Sequence, residues 1–125
     1  MKSDHRRSLG QYGESLAAIF LEKKGYKILE RNYRTSYGEI DLIALHNEVI
    51  TFVEVKTRAS RSLGPPEISI TPRKAEHMRG AAEFYIQQHP EIRKDWCIDV
   101  ITIQVSKEAP APVIDHFENV ITRIF

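Results

Sequence analysis

Two carboxylates and an amine, Asp41, Glu54 and Lys56, lie inside the two strongest apolar extended segments of the chain. These are Gly38-Glu39-Ile40-Asp41-Leu42-Ile43-Ala44 and Phe52-Val53-Glu54-Val55-Lys56-Thr57-Arg58. Charges in the middle of buried strands are costly unless they are paired or metal-bound. Two acids beside one amine leave a negative excess that a divalent cation would neutralise, and oxygen ligands of this kind suit Mg²⁺ or Mn²⁺. A plain cross-strand ion pair between Asp41 and Lys56 is the better reading of either residue alone. The three taken in order favour a site.

For the three groups to meet, the segments must form a hairpin of the right register. Side chains alternate along a strand, so Glu54 and Lys56 share one face, and Val53 and Val55 the other. A two-residue turn would put Asp41 on the face of Glu54 and Lys56, whereas a three-residue turn would put it on the opposite face. The shorter connection is the common hairpin solution, which makes convergence the expectation. Opposed carboxylates ~4 Å apart repel by ~4 kcal/mol at an effective dielectric of ~20. Lys56 offsets only one of them.

Stepping outward, Ser8 can cap a helix running to about Lys24, with Gly25 as its stop and Leu9, Tyr12, Leu16 and Phe20 as its buried stripe. Tyr26 to Tyr33 has mixed strand character, and a turn follows over Thr35 to Gly38. Glu39–Leu45 and Val49–Thr57 are the two strongest strands. Arg58 to Ile70, rich in Ser, Gly and Pro, reads as a loop. Thr71-Pro72 starts a second helix whose face is Ala75, Met78, Ala82 and Tyr85, ending before Pro90. Trp96–Val105 is apolar on both sides, which predicts a central strand, and Val113–Phe125 is a weaker strand or turn. The order helix, three strands, helix, strand predicts an α/β fold with a mixed central sheet flanked by helices.

At 125 residues the chain is expected to form one domain, with residues 1–7 as a flexible tail. The polar N-terminus leads into no apolar signal region, and the longest apolar run, Leu16–Leu21, is far too short to span a bilayer. The single Cys97 excludes an internal disulfide framework and fits a reducing cytoplasm. Net charge is only +1, yet residues 56–80 carry Lys56, Arg58, Arg61, Arg73, Lys74 and Arg79 against Glu67 and Glu76. With Arg6, Arg7, Arg31 and Arg34, this excess is either a solvated face or a footprint for a polyanion.

Asp41 followed by Glu54-Val55-Lys56 resembles the Asp…Glu-X-Lys signature of restriction-endonuclease-like nucleases. More specifically, Gly13-Glu14, Arg31-Asn32-Tyr33-Arg34, Gly38–Ile43 and Phe52–Arg58 resemble the YraN-type family, grouped with the endonucleases and similar in fold to archaeal Holliday-junction resolvases. Ile40 replaces the proline often found before the aspartate in the wider superfamily. The resemblance implies a restriction-endonuclease-like fold and a Mg²⁺- or Mn²⁺-dependent endonuclease acting on DNA, at branched or distorted structures by fold analogy. It makes Asp41 and Glu54 metal ligands, with the Val55 carbonyl as a third. Lys56 would orient or help deprotonate the attacking water, and Glu14 would be an accessory ligand or hold a water on the metal. Arg34, Arg58, Arg61, Arg73 and Lys74 are the candidates for phosphate contacts. A homodimer would supply two active sites for cutting duplexes or junctions. The competing readings are a non-catalytic recruitment module on the same fold and a protein-interaction domain with no nucleic-acid role.

Other residues have blander readings. Glu14 could equally be a solvated carboxylate, and Glu39 is structural or supports the site from outside. Lys74 reads as an ordinary exposed helical lysine unless it reaches the site. Asp99 reads as a buried structural contact and Cys97 as a small apolar side chain. Tyr12, Tyr33 and Tyr37 could stack on bases, with Tyr12 better placed as core. His5, His46, His77, His89 and His116 are scattered without ligand spacing, which disfavours zinc.

Overall fold

The computed structural model describes residues 2–59, 64–66, 68–92 and 95–121, with side chains from residue 7 onward. Arg61, a candidate phosphate contact, lies outside these residues. The elements are α1 (Lys2–Lys23), β1 (Lys27–Arg34), β2 (Glu39–His46), β3 (Val49–Ala59), α2 (Pro72–Gln88), β4 (Asp95–Val105) and β5 (Val113–Ile121). The five strands form one sheet in sequence order. β3 and β4 are parallel, joined by the α2 crossover, and every other neighbour is antiparallel. α1 covers one face of the sheet and α2 the other, giving the restriction-endonuclease-like α/β arrangement. No helix among the described residues is long and apolar enough to cross a membrane.

The β2–β3 turn has two residues, since His46 pairs with Val49. Asn47 and Glu48 both have positive φ, 50° and 66°, which is the twist that matches a right-handed hairpin. α1 stops as the glycine predicts. Gly25 takes φ +93°, its N–H bonds to Glu22 O, and the Tyr26 N–H reaches back to Leu21 O. This pairing satisfies the last carbonyls and buries Tyr26 beside Leu21. Thr71 caps α2, its hydroxyl accepting from the Lys74 N–H at 3.1 Å.

The start of α1 differs from expectation. The helix runs back to Lys2, so Ser8 is interior rather than a cap, and residues 2–7, expected as a tail, are helical. The buried line is also displaced. Gly13, Ala17, Ala18 and Leu21 meet the sheet, Leu16 and Phe20 are partly buried, and Tyr12 is 46% exposed rather than core. Bulk was the wrong guide, because α1 lies closest to β3 at Gly13, where no side chain fits, and the next residues along the contact are Ala17 and Ala18 before Leu21.

Gly13 shows how close. A Cβ there would lie 1.8 Å from Thr57 Oγ1 and 2.9 Å from both Thr57 Cβ and Cγ2. Rotating Thr57 cannot clear its own Cβ. Gly13→Ala should therefore push α1 off the sheet, destabilising by ~1–3 kcal/mol despite the better helix propensity. Gly10→Ala, with nothing within 4 Å, should instead stabilise by ~0.5–1 kcal/mol. Urea unfolding of the two variants side by side checks both signs.

β1 and β5 are the edges of the sheet, and both are irregular. β1 shifts register between Ile28 and Glu30, and Asn32 has φ 52°. β5 shifts between the partners of Ile98 and Val100, with Asn119 at φ 51° inside the irregular stretch.

Candidate active site

The site forms where the β2–β3 ladder ends. Pairing runs from His46↔Val49 to Leu42↔Val53 and then stops, so the Val55 N–H finds its acceptor elsewhere. Asp41 Oδ2 takes it at 2.8 Å. Side-chain alternation slips at this residue, because Ile40 and Ile43 both pack on the α2 side while Leu42 and Ala44 pack on the α1 side. A carboxylate bonded to a lateral backbone amide lies in the gap of the sheet rather than squarely on either face. That placement lets Asp41 act on acids to both sides.

Glu54, on the α2 side, is the first of these. Burial, reinforced by the Asp41 carboxylate and a hydrogen bond shared with it, pushes the Glu54 carboxyl up to about 7. Lys74 Nζ at 3.6 Å opposes the shift only in part. Lys74, read as an ordinary exposed lysine unless it reached the site, does reach it. On the α1 side, Glu14 is also raised, first by burial and then by Asp41, with a hydrogen bond to Asn32 working the other way. Glu39 adds to the negative field at Glu14 and pairs with Arg34 at 3.7 Å, a support from outside the site. Leu9, Gly10, Glu14, Asp41, Val55, Lys56 and Thr57 line one open cleft of about 460 Å³. Lys56 donates from Nζ to the Ser69 carbonyl.

The raised Glu54 carboxyl has a testable sign. Its folded-state value exceeds the ordinary 4.5, so the folded chain binds the extra proton between about 4.5 and about 7. That contribution to stability is complete at the acidic end and is lost as pH rises through about 7. Metal-free protein should therefore show a urea midpoint that declines from pH 5 to pH 8 through this group. Glu54→Gln should flatten the decline.

Of the remaining cation candidates, Arg73 is exposed in the first turn of α2 and Arg34 is exposed but held by Glu39. Arg58 donates to Pro65 O at 3.3 Å and to Gln104 Oε1 at 3.1 Å. Tyr33 packs edge-on against Tyr85, whereas Tyr37 is 53% exposed.

Residues 13–103 match the group described as Uncharacterised protein family UPF0102, the YraN type. The chain belongs to this family. Its UPF0102 relative in Syntrophomonas wolfei subsp. wolfei is 50% identical over 113 residues, 90% of this chain and 96% of that protein. The relatives in Geobacter metallireducens and Alkaliphilus metalliredigens are each 43% identical, covering 92% and 88% of this chain and 93% and 96% of their own lengths. The family match begins at Gly13 and takes in Glu14, Asp41, Glu54 and Lys56.

A second polar cluster in this UPF0102 chain lies on β4 and β5, and the scatter of the histidines concealed it. Asp99 and His116, with side chains 1% and 3% exposed, bond through Oδ2 and Nε2 at 2.7 Å. Asp99 Oδ1 accepts the Asn119 N–H at 2.8 Å and the Cys97 thiol at 3.4 Å. Asp99, His116 and Glu118 present ligand atoms within 4.8 Å of one another, a grouping compatible with a metal. The hydrogen bonding argues against one at His116. Lys24 Nζ lies 2.7 Å from Nδ1, and an ammonium can only donate, so the proton sits on Nε2 facing Asp99. A metal on Nε2 would move that proton to Nδ1, against another donor. Burial and Asp99 push the Cys97 thiol up to about 12, which keeps this half-buried group in its protonated form near neutral pH. His116-X-Glu118 on a strand, two residues apart and hence on one face, was the available sequence signal.

Proposed function

We propose that this protein is a divalent-metal-dependent nuclease that hydrolyses DNA phosphodiester bonds in a reducing cytoplasmic compartment. The observation that carries this reading is that Asp41 lines one cleft with Glu14, Val55 and Lys56 while standing close enough to the buried Glu54 to reinforce the upward shift of its carboxyl. A chain gains no stability from holding two like charges together, and the arrangement suits a cation-binding site.

The donors fit Mg²⁺ or Mn²⁺. They are hard carboxylate oxygens, with Asp41 oriented by the Val55 amide and its second oxygen not used in that bond. N–H and C=O of one residue leave an extended strand on the same side, so the Val55 carbonyl opens on the same gap. Glu14 reaches the cleft from α1 as an accessory donor. A bound cation would acidify water and neutralise charge on the phosphate. Lys56 would leave the Ser69 carbonyl to orient that water and offset charge on the phosphoryl oxygens. Lys74 holds Glu54 in place, and the positive end of α2, with Arg73, faces the incoming backbone.

The test is incubation of the protein with linear, flapped and four-way DNA in Mg²⁺ or Mn²⁺, against EDTA. Metal-dependent cleavage supports the enzyme. Salt-dependent binding without cutting under every metal would support the recruitment module instead.

A further inference from the structure

Along β3 and β4 the face toward α2 changes character. Ile50, Phe52 and Ile98 pack under α2, and further along the same face carries Lys56, Arg58, Thr102 and Gln104. The register pairs Lys56 with Thr102 and Arg58 with Gln104, so the four form a square on adjacent parallel strands. On the opposite face Val55, Ile101, Ile103 and Val105 remain apolar under α1. With Thr57 and Ile103, the square lines a cavity of about 220 Å³, and Lys56 also lines the catalytic cleft.

The square is a set of donors turned toward acceptors. Lys56 donates to Ser69 O, Arg58 to Pro65 O and Gln104 Nε2 to Gly64 O. Gln104 Oε1 accepts from Arg58, which fixes the direction of the guanidinium. Thr102 Oγ1 is buried with no hydrogen-bond partner among the described residues, in a residue 2% exposed. Among the described residues no carboxylate lines this cavity; Asp115 neighbours Thr102 on β5 but lies outside the wall. An unsatisfied buried hydroxyl is costly and points to an absent partner.

We propose that Lys56, Arg58, Thr102 and Gln104 form a subsite for a phosphodiester group adjacent to the one cleaved, with Thr102 and Gln104 as its neutral binding residues. This rests on the nuclease reading above. The carbonyl oxygens of Gly64, Pro65 and Ser69 stand where phosphate oxygens would be received, and the backbone of a bound strand displaces them. Two cations give attraction, while the amide and hydroxyl give the anion its orientation.

The experiment measures binding of a labelled DNA duplex by anisotropy, with Ca²⁺ replacing Mg²⁺, and then cleavage in Mg²⁺. Thr102→Val removes the orphan hydroxyl at constant shape, so its melting temperature should equal or exceed that of the wild type. Its Kd should nevertheless rise ~3–10-fold, and that of Gln104→Leu ~10-fold, with kcat unchanged. Arg58→Ala should also lower the salt dependence of binding by about one phosphate contact. If the wild type binds and cuts while Thr102→Val and Gln104→Leu keep its Kd, the subsite is overturned and the nuclease reading stands. If the wild type binds without cutting and both variants bind weakly, the four residues do hold a phosphodiester group, but the catalytic reading falls and with it the assignment of that group as the neighbour of a cleaved bond. A wild type that does not bind DNA overturns both.

Discussion

Asp41→Asn is expected to abolish metal-dependent cleavage, by ~10²–10³-fold or more, while leaving the fold intact. The amide oxygen of asparagine can still accept the Val55 N–H that Asp41 Oδ2 now takes at 2.8 Å, so the local strand geometry is kept. What disappears is one unit of negative charge at the centre of the acid cluster. Two linked results follow. Mg²⁺ affinity falls in a calorimetric titration, and the Glu54 carboxyl drops back from about 7 because its largest charged neighbour is gone. Lys56→Ala should also stop cleavage while preserving Mg²⁺ uptake, because the amine is not a ligand. A variant at Asp41 that keeps full cleavage would remove the nuclease reading.

The largest effect on stability is expected at Asp99. Asp99→Ala should cost ~3–5 kcal/mol, or ~10–20 °C in melting temperature, because it takes the acceptor away from two donors gathered on a nearly buried carboxylate. These are the Asn119 N–H and His116 Nε2–H, with Lys24 bonded behind His116. Asp99→Asn should be intermediate only if its amide can turn. Its oxygen can satisfy Asn119, but its NH₂ then meets the Nε2–H, and Lys24 prevents the imidazole from switching tautomer. Urea unfolding of both variants measures this, and an Asn variant as stable as the wild type would contradict the assigned tautomer. Lys24→Met, which frees the tautomer, should partly rescue Asp99→Asn.

The acids were legible from sequence because a hairpin is local. Its turn length alone decides whether Asp41 can approach Glu54, and Asn47-Glu48 closes it in two residues. The finer position of Asp41 was not legible. Strict alternation put it on the Glu54 face, and the slip at Ile40 that turns it into the gap between strands depends on where the β2–β3 ladder ends. Contacts from distant elements were the hardest to foresee. Lys74 reaches Glu54 only because the crossover brings the start of α2 over β3. His116 meets Asp99 across a β4–β5 register that shifts just there. The α1 contact was misread for a different reason. Hydrophobic periodicity finds bulky residues, and closest approach selects Gly13 and Ala17.

The kinked outer strands have a use beyond the inward groups they place. A straight, unpaired strand edge can template further strands from another molecule and grow into fibrils. Here the Leu29 irregularity and left-handed Asn32 interrupt one border, and left-handed Asn119 interrupts the other. The same bends turn Asn32 toward Glu14 and the Asn119 amide toward Asp99. Straightening either border to improve strand regularity would therefore cost a polar contact inside and invite self-association outside, and two copies of the chain should meet through helices or loops rather than as one continuous ribbon.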